Sequence, residues 1–221
     1  SGQPDQIESI WRECVHSDLL VDLSRVFTRK RPILDLFYLN DVLRSERYRL
    51  SVRDMLASPT AFEIVTTDRE TGQSHYLTPL SEGAFFLQVR ASAAVPVFHP
   101  KVMIEGRNYV DGGLSDPIPL EKALSDGHDE VVIICNRPVA DIGRLADIFL
   151  HVYAGFTAQG SARQVWGRLG RVASLAETLA DRVHVIAPSS THSHRWQFDS
   201  GHATLNELVD LGIQDATTFL A

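Results

Sequence analysis

"YVDGGLSDPIPLEKAL", residues 109–124, sets an acidic side chain after an apolar pair and follows it with two glycines and a helix-start signal. Tyr109 and Val110 read as the end of a strand, and Pro119 opens a helix that Gly127 closes, the places where helix boundaries favour Pro and Gly. Asp111 is therefore expected in a loop beyond a strand's carboxyl end, where sites gather in open α/β sheets. Gly112 and Gly113 remove side chains from beside the carboxylate and are expected to permit positive φ, so that another backbone or a ligand can come close. A carboxylate held there can act as a general base if its environment raises its proton affinity. The same three residues also suit a simple turn or helix cap, because Asp-Gly is a common turn signal.

Working outward, "EVVIIC" at 130–135 is a continuous apolar run, as a strand covered on both faces requires, so helices are expected above and below the sheet. Upstream, "FEIVTTDRETGQSHYLTPL" outlines a hairpin with a polar turn at Thr71 and Gly72, residues 82–94 read as helix, and strands are expected at 102–104 and 108–110 around "EGRN". Pro4 to about Leu20 reads as a helix with Ile7, Ile10, Trp11, Cys14 and Val15 on one face. A short helix carrying Leu34, Phe37, Tyr38 and Leu43 follows the basic turn "TRKRP". Downstream, 140–180 reads as a long core-facing helix with a stripe of Leu145, Ile148, Phe149, Val152 and Phe156, "RVHVIAP" as a strand, and 203–220 as a closing amphipathic helix. Strands alternating with helices predict an α/β fold with a largely parallel sheet, and no repeat or linker divides residues 1–221, so one domain is expected.

Composition narrows the function. A net charge of −7 and the lack of a basic stripe argue against a nucleic-acid surface, so no nucleic-acid partner is expected. Cys14 and Cys135 are too few for a disulfide framework or a thiolate metal cage and read as buried small hydrophobes. No apolar run approaches a transmembrane length, and the first ten residues lack a signal peptide's regions, which predicts a cytoplasmic or peripheral membrane protein.

"RASAAVP" at 90–96, "GRNYVDGGLSDPIPL" at 106–120 and "DEVVIIC" at 129–135, in that order and spacing, resemble the second half of a patatin-like phospholipase domain of the bacterial type. The resemblance continues through "SPTAFEIVTTDRETGQ" at 58–73 and "RVHVIAPSS". It implies a three-layer α/β/α fold and a lipid acyl hydrolase that uses a Ser-Asp dyad and no cofactor, with Asp111 matching the Asp of the family's D-G-[GA] motif. In such a dyad the carboxylate takes the serine proton as the hydroxyl attacks an ester carbonyl, then returns it to the leaving alcohol. The family's serine sits in G-x-S-x-G.

That motif is absent from these 221 residues, and no glycine-rich oxyanion loop precedes residue 100. Ala123-Leu124-Ser125-Asp126-Gly127 keeps only the second glycine and reads as a helix cap, while Gly160-Ser161 lacks glycines at the needed offsets. By the resemblance, "SGQP" lies shortly after the nucleophile elbow, so the domain is expected to be N-terminally incomplete and inactive as an isolated chain. Three explanations stay open: a fragment of a longer hydrolase, a half that joins a separate chain, or a non-catalytic binding or scaffold module. Loss of the first strands is expected to leave a sheet edge that drives self-association.

Other residues carry weaker signals. Asp116 is expected in a turn, or as a supporting residue beside Asp111, and Asp68 and Asp129 read as turn or cap residues. His99 is expected in a surface loop, or lining an entry path. His192 and His194 form an H-x-H without further ligands at metal spacing, so no metal site is expected. "TRKRP" at 28–32 suits anionic headgroups, or solvent. A lipid or small ester is the expected substrate.

Overall fold

Two tight turns set the direction of the main sheet. At Glu105 (φ 49°) and Gly106 (φ 79°) both central residues take positive φ, the geometry of a two-residue hairpin that matches strand twist. It joins β3 (Val102–Ile104) to β4 (Arg107–Asp111) with Ile104 opposite Arg107. Between β1 (Ile64–Asp68) and β2 (Ser74–Leu77) the Asp68 carboxylate accepts the backbone N–H groups of Glu70 (3.0 Å) and Thr71 (2.8 Å), and Gly72 supplies a φ of 71°. The four strands form one sheet in the order β2-β1-β4-β3, each neighbour antiparallel. The computed structural model describes residues 3–13, 19–28, 30–48, 50–136, 171–188 and 202–220.

A helix packs on one face of this sheet, with two others from before it in the chain against that helix. Before it come α1 (Pro4–Glu13), α2 (Arg25–Thr28), α3 (Leu36–Arg44) and α4 (Val52–Leu56); α5 (Glu82–Ser92) connects β2 to β3. Asp35, Ser51 and Ser81 cap α3, α4 and α5 by accepting from the N–H of Tyr38, Asp54 and Ala84, each satisfying a donor the helix cannot. Phe85 and Phe86 of α5 pack with Ile64 of β1 and Val52 of α4; further along, Ala91 and Ala94 meet Val102 and Tyr109. The small alanines let the helix lie close to the strands. Each buried Phe contributes about 2 kcal/mol of apolar transfer.

A second core, around Leu120, Ile133, Val172 and Val183, holds α6 (Leu120–Ser125), β5 (Val131–Ile134), a helical segment at 171–178 and β6 (Val183–Ile186). β5 and β6 pair in parallel. The last helix, α7 (His202–Leu220), meets α1 through Arg12, whose guanidinium bonds Glu8, Asn206 and Asp210.

The chain mixes helix and strand as expected, but the largely parallel sheet does not hold. Hairpin turns force their strands antiparallel, and among the described residues only β5 and β6, separated by a long connection, run parallel. Nor is β5 covered on both faces: Val132 is 51% and Ile134 79% exposed. The helical stripe of α1 buries Ile10 and leaves Ile7 and Trp11 about half exposed. Cys14, Val15 and most of the 140–180 segment lie outside the described residues.

Candidate active site

Asp111 is the last residue of β4, across from Thr66 of β1, and not a loop residue beyond the strand. Its N–H donates to the Ala94 carbonyl just past α5 (3.1 Å), so the end of the strand is tied to the end of the helix. The chain then turns sharply into a single 3-10 turn, Gly112–Leu114, which Asp111 caps: Oδ1 accepts the Gly113 N–H at 2.7 Å. Oδ2 takes no hydrogen bond among the described residues and remains accessible. The cap reading and the base reading are thus both met, one on each oxygen.

Burial pushes the Asp111 pKa up from the usual aspartate range to about 6, against the opposing pull of the Gly113 N–H. A carboxyl group with that proton affinity is near the optimum for taking a proton from a hydroxyl at neutral pH and giving it back. One oxygen is fixed by the backbone, which orients the group, and the other is left for the incoming proton.

The two glycines serve this geometry differently from the expectation. Neither has positive φ; among the described glycines that conformation belongs to Gly72, Gly106 and Gly127. Gly112 is required by close approach, since a Cβ there would lie 2.2 Å from the Val65 carbonyl oxygen. A Cβ on Gly113 would come 3.0 Å from Asp111 Oδ1 and crowd the carboxylate it anchors.

Beneath the turn lies a polar support that the sequence did not single out. Thr67, fully buried on β1, donates its hydroxyl to the Asp111 carbonyl (2.6 Å) and is hydrogen-bonded to the Ser115 hydroxyl (2.8 Å). The Gly112 carbonyl accepts the N–H groups of Ser115 (3.1 Å) and Asp116 (2.9 Å). Asp116 is buried and accepts from the Tyr76 hydroxyl, so it braces the same turn from the β2 side; no hydrogen bond joins it to the Asp111 carboxylate. The available signal was register: a Thr on the strand beside β4 sits where its hydroxyl reaches the neighbouring backbone.

The remaining candidates separate. Asp68 is a buried turn residue as expected; burial raises its carboxyl pKa, but the hydrogen bonds from Thr71 and Glu70 outweigh that and hold it below the usual range. Asp129 is exposed, and its carbonyl, not its carboxylate, meets Arg182 (2.8 Å). His99 is no surface residue: it is 4% exposed, since the loop after α5 folds inward to bond Leu34 through Phe98. Ser125 ends α6 with its hydroxyl on the Lys122 carbonyl (2.8 Å), a capping arrangement. Gly160, Ser161, His192 and His194 lie outside the described residues, among which no acidic, His or Cys cluster is arranged for a metal.

A sequence model of the patatin-like phospholipase family matches residues 2–124, more than half of the chain, and the matched span includes Asp111, Gly112 and Gly113. The chain is also 45% identical over 51 residues to the uncharacterized protein YjjU of Escherichia coli (strain K12), a stretch covering 23% of this chain and 14% of that protein. The chain thus matches about one-seventh of that relative's length. With a carboxylate-bearing turn at the strand end and the family match running through it, the chain belongs to the patatin-like phospholipase family.

Proposed function

We propose that this chain carries the base half of a lipid acyl hydrolase, in which Asp111 accepts the proton of a serine supplied from outside these 221 residues. The supporting observation is the Asp111 carboxyl, held by Gly113 at one oxygen, accessible at the other, with a pKa of about 6. As the serine hydroxyl attacks the ester carbonyl, its proton passes to Asp111 Oδ2; when the tetrahedral intermediate collapses, the same proton goes to the leaving alcohol. Gly112 and Gly113 keep the approach to the carboxylate clear of side chains, and Asp116 acts as a positioning residue through the turn. Carboxylic esters of phospholipids or acylglycerols are the substrate class, and the chemistry calls for no metal or organic cofactor.

Peripheral membrane contact suits this reading. Phe27 is 89%, Leu23 60% and Leu19 54% exposed, and Lys30 and Arg31 follow them in sequence. Apolar insertion beside basic side chains is how a protein rests on an anionic bilayer. Among the described residues no helix is long and apolar enough to cross a membrane. The exposed Val132 and Ile134 on β5 offer an apolar surface for self-association.

The absence of G-x-S-x-G from these residues favours a second reading, a catalytically silent binding or scaffold module. One experiment separates the two. The chain is extended with the coding sequence upstream of Ser1 and treated with a fluorophosphonate probe. Labelling of a serine that is lost in Asp111→Asn supports the dyad; labelling untouched by that change removes the base role from Asp111, and no labelled serine leaves the scaffold reading.

A further inference from the structure

Residues 95–100, the loop between α5 and β3, join separate parts of the fold. Just before the loop, the Ala94 carbonyl accepts the Asp111 N–H at the end of β4 (3.1 Å). Within it, the Phe98 carbonyl accepts the Leu34 N–H (2.9 Å). Leu34 in turn bridges to Val21, and the Asp35 N–H donates to the Leu20 carbonyl (2.7 Å). The 19–35 segment, with its exposed Leu23 and Phe27, is thus tied to the loop through Phe98. The closed loop is strained: Phe98 and His99 both donate their N–H groups to the Val95 carbonyl (3.1 and 2.8 Å), and Val97 between them is left at φ 74°. A β-branched residue in the left-handed region persists only where the surroundings impose it.

What imposes it is His99, whose buried ring lies 6.0 Å from that of Phe37 on α3. Its Nδ1 is 2.6 Å from the Pro100 carbonyl and so carries the hydrogen, while Nε2 is a buried lone pair with no partner among the described residues. Only the neutral ring suits this place. A proton on Nε2 would be a buried charge without an acceptor, and the charged groups around it supply none. From α5, the Arg90 guanidinium stacks on the same Phe37 ring at 4.5 Å, its own Nε buried and unbonded among the described residues. At the start of α3, the Asp35 carboxylate is already shared between Arg25 (3.7 Å) and Arg31 (3.4 Å). Arg69 and Lys101 line, with Pro96, Val97, His99 and Val110, an adjoining cavity of about 460 Å³. Burial, and after it the Arg90 charge, pushes the His99 pKa below the ordinary 6.5, against the opposing effects of the Pro100 carbonyl and Asp35.

We propose that the 95–100 loop is an acid-released latch: a proton taken from solvent by His99 Nε2 expels the ring from beside Phe37 and Arg90, and the loop lets go of Leu34. The cavity gives the loop room to move, and opening relaxes Val97. Above 6.5 the closed loop keeps its full stability. As the pH falls below that value the open state takes up the proton and the closed state resists it, so closure loses ground. Between about pH 7.5 and about pH 5 the shift toward the open state reaches up to about thirtyfold. The 19–35 segment with Leu23 and Phe27 is then held less firmly. The latch makes no use of the Asp111 carboxyl and stands whether or not the hydrolase reading holds.

NMR of the whole chain across that pH range reads both ends of the latch. The His99 ring carbon reports protonation, and the Leu34 amide reports the hydrogen bond to Phe98. The Leu34 amide is expected to move upfield with the same midpoint as the His99 ring, below 6.5, while the Ile133 amide in the second core stays in place. The movement is expected to persist in Asp111→Asn, which removes the carboxyl that titrates near 6, and to vanish in His99→Phe, an apolar ring of similar shape. Arg90→Gln, which takes away the neighbouring cation, is expected to raise the His99 midpoint toward 6.5 and shrink the Leu34 movement. A Leu34 amide that keeps its position while His99 protonates overturns the proposal, as does a His99 ring that stays neutral until Ile133 also unfolds. Leu34 movement retained in His99→Phe overturns it too, and where that variant does not fold, movement unaltered in Arg90→Gln does the same.

Discussion

The four-stranded sheet and the β5–β6 pair are built from similar apolar sequence and end in different states. Under α5 the sheet buries Ile64, Val102 and Tyr109 almost completely, and even its polar Thr66 and Thr67 are sealed. On β5, Ile133 is buried, but Val132 and Ile134 on either side of it are exposed. The two hairpins of the first region are closed by their own turns, so β1 finds β2 and β3 finds β4 within a few residues. The second depends on a connection of dozens of residues between β5 and β6, and a short apolar run states its appetite for cover without stating what provides it.

Substitutions that probe each region sharpen the contrast. Phe86→Ala, deep beneath the sheet at 3% exposure, is expected to cost about 4 kcal/mol in chemical denaturation. Gly112→Ala follows at about 3 kcal/mol, because its methyl would enter the Val65 carbonyl, whereas Gly83→Ala meets open space inside α5 and should be neutral or slightly stabilising. A Gly112→Ala protein as stable as the parent would dismiss the close-approach account of the motif.

Asp111→Asn should act in the opposite direction. The folded-state pKa of about 6 lies above the usual value of 3.8, so the native state holds its proton more tightly than the unfolded chain. Its contribution to stability is present below the unfolded value and lost as pH rises through about 6. At neutral pH the wild type carries an ionised, poorly solvated carboxylate, and Asn, which can still accept from Gly113, is expected to stabilise the fold by on the order of 2 kcal/mol. The gain should vanish near pH 4, as thermal melts across that range would show. Thr67→Val, which strips the hydroxyl from the Asp111 carbonyl, should cost about 1 kcal/mol and shift the Asp111 titration. Smallest of all, Ile134→Ser on the exposed face of β5 should change stability by less than about 0.5 kcal/mol; a loss of several times that would mean β5 is covered after all.

What could be read from sequence follows the same division. The 64–77 hairpin, α5 and the 102–111 hairpin were legible because turn residues such as Gly72 and Gly106 and alternating side chains act over short range. Strand direction was not, because an apolar run such as "VVII" looks the same in parallel and antiparallel sheets. Asp111 was legible as a residue, but its geometry was misjudged in an informative way: the glycines serve contact distance at Val65 and Asp111 Oδ1, not positive φ. Thr67 and Ser115 were invisible, since their role depends on which strands become neighbours. His99 misled because a loop histidine between Pro96 and Pro100 reads as surface, and only the Leu34 to Phe98 hydrogen bond draws it inward.

The central claim concerns the proton affinity of one carboxyl group, and it can be read directly. Carbon-13 NMR titration of the Asp111 carboxyl, assigned by its loss in Asp111→Asn, should show a midpoint near 6. A midpoint at the ordinary aspartate value of about 4 would contradict it, leaving Asp111 as a turn cap with no special capacity to take a proton.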